Sequence, residues 1–311
     1  MQLRHLRYFV RIVEAGSFSR AAAAIHVAQP ALSQQIAELE EELGVSLLQR
    51  SARGVRPTIA GETLYREAAA ILLQMDQLPG KVRSTGGKTE GAVNLGMGST
   101  LTAHLAGSFM EACRAALPRV SLRFITVNSL VIASRIEART LDLGVVFEDG
   151  AIPGFLRRKL FRQRLFLIHR EPLLGNAETV SLAELSEQPL VMAAHPNVLR
   201  DALDRALAKA GIIPNIVAET DSVFSMLSAV QSGIGHTILP KGDMSDVPGH
   251  ATIWSTPIEP PIYLTASILA AGDAPLTGAG EAVRDLFVGF VAHWLAESHL
   301  PGSEWIGDAR P

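Results

Sequence analysis

The sequence predicts a multi-domain α+β protein in which a small helical head is followed by a long linker helix and a two-lobed α/β domain. Three observations predict this order. Residues 17–60 combine helical apolar periodicity, helix-start residues and a basic loop. A long helical pattern follows Thr58, and from Ala92 onward short β-branched segments alternate with helical stretches.

Two short helices are predicted at the start of the chain. The first ends at Ala15-Gly16 and has one apolar face at i, i+3, i+4 and i+7, formed by Leu6, Phe9, Val10 and Val13. The second has the same spacing, in Phe18, Ala21, Ala22 and Ile25. Ser17 precedes this second helix and is suited to cap its N-terminus. With the helix that follows, these segments predict a three-helix core.

The third helix is predicted to begin at Gln29 and Pro30, because the fixed φ of proline suits a first helical turn. Its buried stripe is predicted to contain Leu32, Ile36, Leu39 and Leu43. The opposite face begins with small and polar residues: Pro30, Ser33, Gln34 and Ala37. A DNA major groove admits the first turns of such a helix, where glutamine and serine bond base edges. Phosphates repel the acidic residues 38–42, so the helix is predicted to enter by its N-terminus.

The segment LLQRSARGVRPT predicts two short extended pieces around Arg53-Gly54. Such a wing places Arg50, Arg53 and Arg56 where they can meet the sugar-phosphate backbone. Helix and wing together predict a winged helix-turn-helix that binds DNA. The alternative is a small helical domain with a solvated basic loop.

IHVAQPALSQQIAELEEELGVSLLQR followed by RGVRPTIAG resembles the DNA-binding domain of LysR-type transcriptional regulators. Within that family, AQPALSQQ, LLQR and RGVRPT most resemble the nitrogen assimilation control subgroup. The chain departs from the family at Ala28, where a serine is more frequent, and at Leu48, where a phenylalanine is. On this surface the DNA contacts are expected from Gln29, Pro30, Ser33, Gln34, Arg50 and Arg53.

The resemblance also implies partners. It implies binding to an inverted repeat in double-stranded promoter DNA as a homodimer or a dimer of dimers. RNA polymerase and a small-molecule effector are the further partners that it implies, and no membrane is among them. The net charge of −3 does not by itself indicate DNA binding, so local placement of basic residues carries that inference.

Composition limits the remaining classes of protein. With 311 residues, of which 48% are apolar, the chain has room for about two domains. Arg4, Arg7 and Arg11 interrupt the N-terminal segment, and no apolar run reaches the roughly 20 residues of a membrane helix, so a cytoplasmic location is expected. The single cysteine, Cys113, excludes an internal disulfide and is predicted to be an inert core residue, with redox sensing as a remote alternative.

A heptad seam is predicted in the linker helix. The steps of 4, 3, 4 and 3 residues join Leu64, Ala68, Ile71, Met75 and Leu78. Such a seam is too narrow to cover a globular core and suits pairing with a second copy of the chain. The alternative is a single helix lying on its own domain. Pro79-Gly80 is predicted to end or kink the helix, and STGGKTEG is predicted to be a hinge.

The rest of the chain predicts two α/β lobes. AVNLGMG, VSLRFIT and LDLGVVF alternate with helices and so predict a parallel sheet. LFLIH, PLVMAA, IVAET and HTILP predict a second unit, after which YLTASILA crosses back and a closing helix covers residues 283–296. The arrangement resembles the type 2 periplasmic-binding-protein fold that forms the effector domain of the LysR family.

The predicted boundaries follow from this reading. They are 1–58 for the DNA-binding head, 59–90 for the linker helix and hinge, 91–300 for the effector domain, and 301–311 for a loose tail. Within the effector domain, lobe 1 comprises about 91–161 and 267–300, and lobe 2 about 162–266.

Polar residues follow the predicted strands where ligands bind in open parallel sheets, beside helix N-termini. The family resemblance implies effector contacts from Ser99, Thr100, Thr102, Asn128, His195 and Thr220. No lysine or arginine adjoins the hydroxyls at 99–102, so a monocarboxylate is expected rather than a dianion. Each residue is equally a candidate helix cap. The alternative for the whole cleft is a regulator without effector, controlled by its own abundance.

Enzyme chemistry finds little support in the sequence. GMGSTL matches the dinucleotide fingerprint only in part, because Leu101 stands at its third glycine. No GxSxG motif occurs, and the nine histidines have no spacing typical of metal ligands. The sequence therefore predicts no catalytic residues, no cofactor and no metal site. An α/β small-molecule-binding enzyme is the remote alternative, and a ligand receptor without DNA would leave the first 60 residues without a role.

Overall fold

The structure, a computed structural model, describes residues 1–51, 54–84, 89–148, 150, 153–172, 178–240, 253–298 and 300–307. The chain divides into two compact units. The first contains the head and the linker helix. The second, which corresponds to the predicted effector domain and is termed the effector unit, contains the larger sheets. No helix among the described residues is long and apolar enough to cross a membrane.

The head consists of three helices and a hairpin: α1 (Leu3–Ala15), α2 (Phe18–Ala24), α3 (Gln29–Leu43), β1 (Leu48–Ser51) and β2 (Gly54–Pro57). The hairpin is antiparallel, and Ser17 caps α2 by accepting a hydrogen bond from the Arg20 amide. Both features were predicted from the sequence. The buried stripe of α3 is shorter than predicted, because α3 ends at Gly44 in the left-handed conformation and Leu43 is exposed. Leu47, on the chain that returns from this turn, is buried in the core instead.

The linker helix, α4, covers Ile59–Ser84. It continues through Pro79 and Gly80, so the end predicted at that dipeptide does not occur. The predicted seam divides into two parts. Leu64 and Ala68 pack within the chain against Leu6 and Val10 of α1, and Ala68 is fully buried there. The later part, formed by Ile71, Met75 and Leu78, is exposed.

Lobe 1 begins with the predicted βαβαβ unit: β3 (Gly91–Met97), α5 (Ser99–Ala116), β4 (Val120–Thr126), α6 (Ser129–Glu137) and β5 (Leu143–Glu148). Strand β3 is central and parallel to both neighbours, which confirms the predicted parallel sheet. Its residues 93–97 are buried because helices cover the sheet on both faces. Phe109 of α5 packs edge-on against Phe287, which belongs to the closing helix α10 (Gly278–Ser298).

Lobe 2 contains β7 (Val180–Ser181), α7 (Leu182–Leu185), β8 (Pro189–Ala193), α8 (Val198–Ala210), β9 (Asn215–Thr220), α9 (Val223–Gln231), β10 (Thr237–Pro240) and β11 (Trp254–Glu259). Strands β8 and β9 are parallel and form a separate two-stranded sheet. The apolar residues of β8, α8 and β10 share one core. This lobe therefore has its own hydrophobic centre.

Two long strands join the lobes: β6 (Phe155–His169) and β12 (Tyr263–Ala271). They pair antiparallel along residues 155–164 of β6, after which β6 continues into lobe 2 between β10 and β11. The sequence predicted only LFLIH as a strand here, because RRKLFRQ is too polar to be recognised. The main sheet has the order β4-β3-β5-β12-β6-β11-β7, with β10 also paired to β6.

The tail predicted to be loose forms a further strand, β13 (Ser303–Trp305), which pairs with residues 161–163 of β6. Leu300 is buried, and Trp305 packs against the lobe 1 core. The amides of Ile306 and Gly307 both donate to the Leu160 carbonyl at 3.0 Å. The prediction failed because a three-residue strand with one large apolar side chain has no readable periodicity. Residues 308–311 lie outside the described part of the chain.

Candidate functional site

The first turn of α3 is the centre of the candidate DNA surface. Gln29, Pro30 and Gln34 are exposed, and Ser33 is half-buried beside them. The helix begins after Ala28, whose side chain cannot cap it. Free amides and the positive end of the helix dipole are thus left at the surface, where they favour an anion such as a phosphate.

Arg50 of the wing is held against this turn. Its guanidinium lies over the Phe18 ring, 4.4 Å from the centroid, and its Nη1 donates to Ser33 Oγ at 3.1 Å. The side chain is exposed, so the contact orients the cation without burying it. Ser33 is therefore already bonded to Arg50, a pairing that the sequence did not predict because the two residues are 17 positions apart.

Three contacts fix the wing to the helices. Glu40 Oε1 accepts from the amides of Leu47 and Leu48, at 2.6 and 3.1 Å. The Val55 amide donates to the Gly16 carbonyl at 3.0 Å. Gly54 has φ +121°, and a Cβ there would lie 2.7 Å from the Gly16 oxygen, so only glycine fits. The sequence analysis treated Glu40 only as one of the acidic residues 38–42 that phosphates repel, whereas in the structure it positions the hairpin.

The wing brings further basic side chains to the same unit. Arg56 is exposed on β2, whereas Arg53 lies outside the described residues. Exposed polar residues at the start of α3, together with Arg50 and Arg56, give a surface suited to phosphate and base contacts. The DNA contacts of individual side chains stay predictions.

The second candidate site is a cavity of about 370 Å³ between the lobes of the effector unit. Lobe 1 lines it with 98–101, 127–131 and Phe147, and lobe 2 with 197–199, 221–223, Met226, Leu239 and Pro240; Leu264 of β12 completes it. The lining joins the carboxyl ends of β3, β4 and β5 to the starts of α8 and α9. This is the position at which open α/β sheets bind small ligands.

Of the six predicted effector residues, three line the cavity: Ser99, Thr100 and Asn128. The hydroxyl of Thr102 points back to the Gly98 carbonyl at 2.9 Å, because it lies one turn into α5. Thr220 is outside the lining, and its hydroxyl accepts from the Ser222 amide at 3.3 Å.

His195 also lies outside the lining. Its two ring nitrogens face α8, with Nδ1 3.2 Å from Asp201 and Nε2 3.0 Å from Asp204. The same helix carries Arg200, which is buried and bonded to Asp204 and Glu219. The imidazole is therefore held by carboxylates at the protein surface rather than offered to a ligand.

The helix N-termini at the cavity differ in which backbone amides they leave available to a ligand. Asn128 Oδ1 accepts from the Val131 amide in α6, Asn197 Oδ1 from the first amides of α8, and Ser222 Oγ from Ser225 in α9. Helix α5 begins after Gly98 and has no side-chain cap. Its first amides, at Ser99, Thr100 and Leu101, are thus the ones left for a ligand, while the caps of the other helices are already used.

Charge in the cavity is sparse. Asp221 is the one ionisable residue among the lining residues, and it lies at the entrance to α9. No lysine or arginine belongs to the lining that the described residues form. An anion at α5 would therefore be held by amides and hydroxyls alone. Ser222 and Met226 were missed as lining residues, although Ser222 follows a predicted strand and was recognisable as a cap.

Two histidines with lowered pKa values lie elsewhere in lobe 2. Burial lowers the pKa of His169, whose Nδ1 lies 2.6 Å from the Glu171 carbonyl and whose Nε2 lies 2.9 Å from the Thr256 hydroxyl. Burial and then repulsion from His169 lower the pKa of His236. In lobe 1, burial raises the pKa of Cys113 to about 11, as expected for an inert core thiol. The described residues contain no cluster of histidine, cysteine or acidic side chains that could hold a metal ion.

Two family models match the chain. The model of the bacterial regulatory helix-turn-helix protein, lysR family, matches residues 3–62. The model of the LysR substrate binding domain matches residues 86–291. The two matches correspond to the head and to most of the effector unit.

Relatives are similar along nearly the whole chain. The nitrogen assimilation regulatory protein nac of Escherichia coli (strain K12) is 30% identical over 299 residues, covering 96% of this chain and 97% of that protein. The protein of the same name from Klebsiella aerogenes is 31% identical over 294 residues, covering 94% and 96%. The resemblance to the nitrogen assimilation control subgroup is thereby confirmed.

Solved structures share the fold. Full-length CbnR complexed with its target DNA matches with a TM-score of 0.70 at 21% identity, covering 94% of this chain and 99% of that one. Full-length BenM matches with a TM-score of 0.58 at 26% identity, covering 97% and 99%. The predicted fold, an N-terminal helix-turn-helix followed by a two-lobed α/β domain, is confirmed.

Proposed function

Because the chain belongs to the LysR family of bacterial DNA-binding transcriptional regulators and is not an enzyme, we propose that it binds an inverted-repeat promoter site through α3 and the wing. In this proposal Gln29, Ser33 and Gln34 discriminate bases, and Arg50 and Arg53 hold the backbone. The observation that carries it is the uncapped first turn of α3, with Arg50 fixed beside Ser33. Acting on promoter DNA in the cytoplasm, the protein contacts RNA polymerase to regulate transcription.

A gel-shift titration tests the DNA proposal. The full chain is titrated against its own promoter region and against random duplex at the same salt concentration, because phosphate attraction alone gives nonspecific binding. Tighter binding to the promoter, with a footprint over two half-sites, is expected. Equal affinity for both duplexes would contradict the proposal.

The exposed part of α4 is the proposed dimer contact. Ile71, Met75 and Leu78 follow heptad spacing and are exposed, so a second copy would bury them. Leu64 and Ala68, already packed on α1, support the helix rather than the partner. Ile71→Lys would bury an unpaired charge and is expected to weaken association and operator binding together.

Analytical ultracentrifugation at low concentration measures this effect. Gln74→Lys, on an exposed polar position of the same helix, is the matched control. If Ile71→Lys sediments like the control and still binds the operator, the interface lies elsewhere.

The proposed effector is a small monocarboxylate, taken up in the interlobe cavity with its carboxylate at the start of α5. The uncapped amides of α5, in a cavity with no lysine or arginine in its lining, support this ligand class. Apolar residues such as Met226 and Leu264 line the remaining space, so the ligand would carry an apolar end. In this proposal the metabolite belongs to nitrogen or carbon metabolism, and the names of the nac relatives support the nitrogen assignment.

A thermal-shift screen of the full chain against carboxylic acids tests the effector, and each compound that binds is then added to the footprint. A ligand regulates only if its affinity differs between two states, so both readouts must change. The second candidate is a regulator without effector, controlled by its abundance. Asp221, a carboxylate in the same cavity, favours that candidate, and it is preferred if no compound changes both readouts.

A further inference from the structure

We propose that Glu38 sets the base specificity of Gln34 by fixing which end of its side-chain amide faces DNA. Gln34 Nε2 donates to Glu38 Oε1 at 3.0 Å, one helical turn along α3. The two residues are exposed on the same helix, on the face whose first turns are proposed to read the operator. The inference rests on that proposed function and deepens it.

The chemistry of the contact fixes the orientation of the amide. An ionised carboxylate only accepts hydrogen bonds, so the group that faces it must be the NH₂ of Gln34 and not its carbonyl oxygen. Flipping the amide would place two oxygens against each other. The carbonyl Oε1 of Gln34 is consequently turned away from Glu38 and available to a base.

A second glutamine holds the carboxylate in place. Gln35 Nε2 donates to the other oxygen, Glu38 Oε2, at 2.7 Å. The carbonyl oxygen of Gln35 is buried and has no hydrogen-bond partner among the described residues. Gln35 is thus oriented by the same carboxylate, and with both oxygens engaged Glu38 has less freedom to turn toward a base itself.

An amide fixed in this way reads one chemical class of base. Its oxygen accepts from an exocyclic amine, which adenine presents at N6 and cytosine at N4 in the major groove. The second hydrogen of Nε2 can donate to N7 of either purine, so this bond does not distinguish adenine from guanine. Guanine and thymine present carbonyl oxygens at O6 and O4, which would face the Gln34 oxygen unfavourably. We therefore expect Gln34 to prefer adenine or cytosine over guanine or thymine at the base that it contacts.

On the free protein this contact is weak, because an exposed glutamine–carboxylate pair on a helix competes with water for the same hydrogen bonds. Within a groove from which water is excluded, both the bond and the cost of breaking it increase. Glu38 therefore acts as a positioning residue whose influence appears in which base is bound rather than in how tightly DNA in general is bound.

Selection from a randomised duplex pool, followed by sequencing of the bound fraction, tests the proposal with the full-length protein. The variants are Gln34→Ala, Glu38→Gln and, as a control with the same loss of charge on the same helix, Glu41→Gln. For the wild type we expect roughly tenfold or greater preference for adenine or cytosine at one base pair, as for a good side-chain contact. Gln34→Ala should abolish that preference. Glu38→Gln should reduce it severalfold at the same base pair, since a glutamine at 38 also donates and permits the flip, while Glu41→Gln should leave it intact.

The outcomes distinguish a failure of base readout by Gln34 from a failure of the positioning role of Glu38. If Gln34→Ala changes no base preference, the proposed readout by Gln34 fails, and the role of Glu38 fails with it. If Gln34→Ala relaxes one base pair but Glu38→Gln behaves like Glu41→Gln, the readout stands and the positioning role is refuted. If Glu38→Gln alters a different base pair from Gln34→Ala, and the double variant shows the two effects multiplied, Glu38 reads a base directly and the proposal is equally refuted.

Discussion

Helices α3 and α5 both begin without a side-chain cap at a surface proposed to bind an anion, yet the surroundings of their first turns are opposite. Helix α3 starts at exposed residues with the Arg50 guanidinium beside it, whereas α5 starts inside a cavity whose lining holds no lysine or arginine. Helix α1 also lacks a side-chain cap. The other helices with described N-termini use Ser, Thr or Asn hydrogen bonds at their starts.

An uncapped helix start therefore serves two kinds of ligand. Free amides at a helix start recognise an anion by geometry, and the surrounding charge decides how strongly and how selectively it is held. With added arginine and open solvent, α3 suits a polyanion whose binding depends on salt. Without cations and enclosed by apolar residues, α5 suits a small anion whose binding depends on shape.

The largest expected effect comes from capping α3 with a charge. Ala28→Asp supplies a side-chain cap at a residue whose extended backbone suits one, but it places a carboxylate against DNA phosphates. Operator affinity should fall roughly tenfold or more, while the free energy of unfolding rises by about 0.5–2 kcal/mol. Ala28→Ser is the control, since it caps without charge and should keep DNA binding. Fluorescence anisotropy measures operator affinity, and urea unfolding measures stability. An Ala28→Asp protein that binds as tightly as Ala28→Ser would show that the start of α3 does not meet a DNA phosphate.

Capping α5 should remove effector binding without harming the fold. A Cβ at Gly98 would meet no atom within 4 Å, so an aspartate fits and its carboxylate would occupy the amides proposed for the ligand. We expect Gly98→Asp to lose the carboxylate-induced thermal shift and to gain roughly 0.3–1 kcal/mol of stability from the helix dipole. Gly98→Ala adds the Cβ alone and should retain the shift. Retention of the shift by Gly98→Asp would place the ligand elsewhere.

Salt should separate the two sites. Operator affinity should fall linearly with the logarithm of salt concentration, and Arg50→Ala should reduce the slope by about 0.9, the contribution of one phosphate contact. Arg284→Ala, which removes an arginine of the effector unit, is the control and should not change the slope. Carboxylate binding at α5 should change little over the same range. An unchanged slope in Arg50→Ala would show that this cation does not meet a phosphate.

We expect the smallest effect from pH, which should change the stability of the effector unit alone. The folded-state pKa values of His169 and His236 lie below their ordinary values. At a pH between the folded and the unfolded pKa of each histidine, the unfolded chain therefore binds more protons than the folded chain. Their contribution to stability is therefore complete above the unfolded pKa of about 6.5 and decreases as the pH falls below it. His236→Gln should lessen this dependence.

Tryptophan fluorescence measures that prediction selectively. The three tryptophans of the chain, at 254, 294 and 305, all belong to the effector unit. Thermal unfolding followed by their emission at pH 7.5 and pH 5.5 should show the loss. Equal pH dependence in wild type and His236→Gln would exclude this histidine as a source.

Local patterns predicted the head almost completely from the sequence. Ser17, Pro30 and the apolar spacing of each helix act within one or two turns, so the starts of α2 and α3 were found. The contacts that complete the surface were not found, because Arg50 with Ser33 and Glu40 with Leu47 depend on how the hairpin folds back. Such pairs have no signal in the spacing along the chain.

The cavity was predicted less well for the same reason. Ser99 and Thr100 follow a strand directly and line the cavity, whereas the hydroxyl of Thr102, one turn later, returns to its own helix. His195 also follows a strand, but the carboxylates of Asp201 and Asp204 on the next helix attract its ring. Position after a strand identifies the neighbourhood of a ligand site, and competition from nearby acceptors decides which side chains reach it.

Strand β6 has a consequence for synthesis of the chain. All four strands that pair with it in the described structure, β10, β11, β12 and β13, lie later in the sequence, and the last of them ends at Trp305. A ribosome therefore releases β6 well before any partner strand exists, and its hydrogen-bonding edges stay open during translation. The arginines and lysine of RRKLFRQR give the unpaired β6 a positive charge, which opposes pairing with neighbouring nascent chains. The sheet can close only after β13 has been made, so the pairing of β6 is completed last among the described strands.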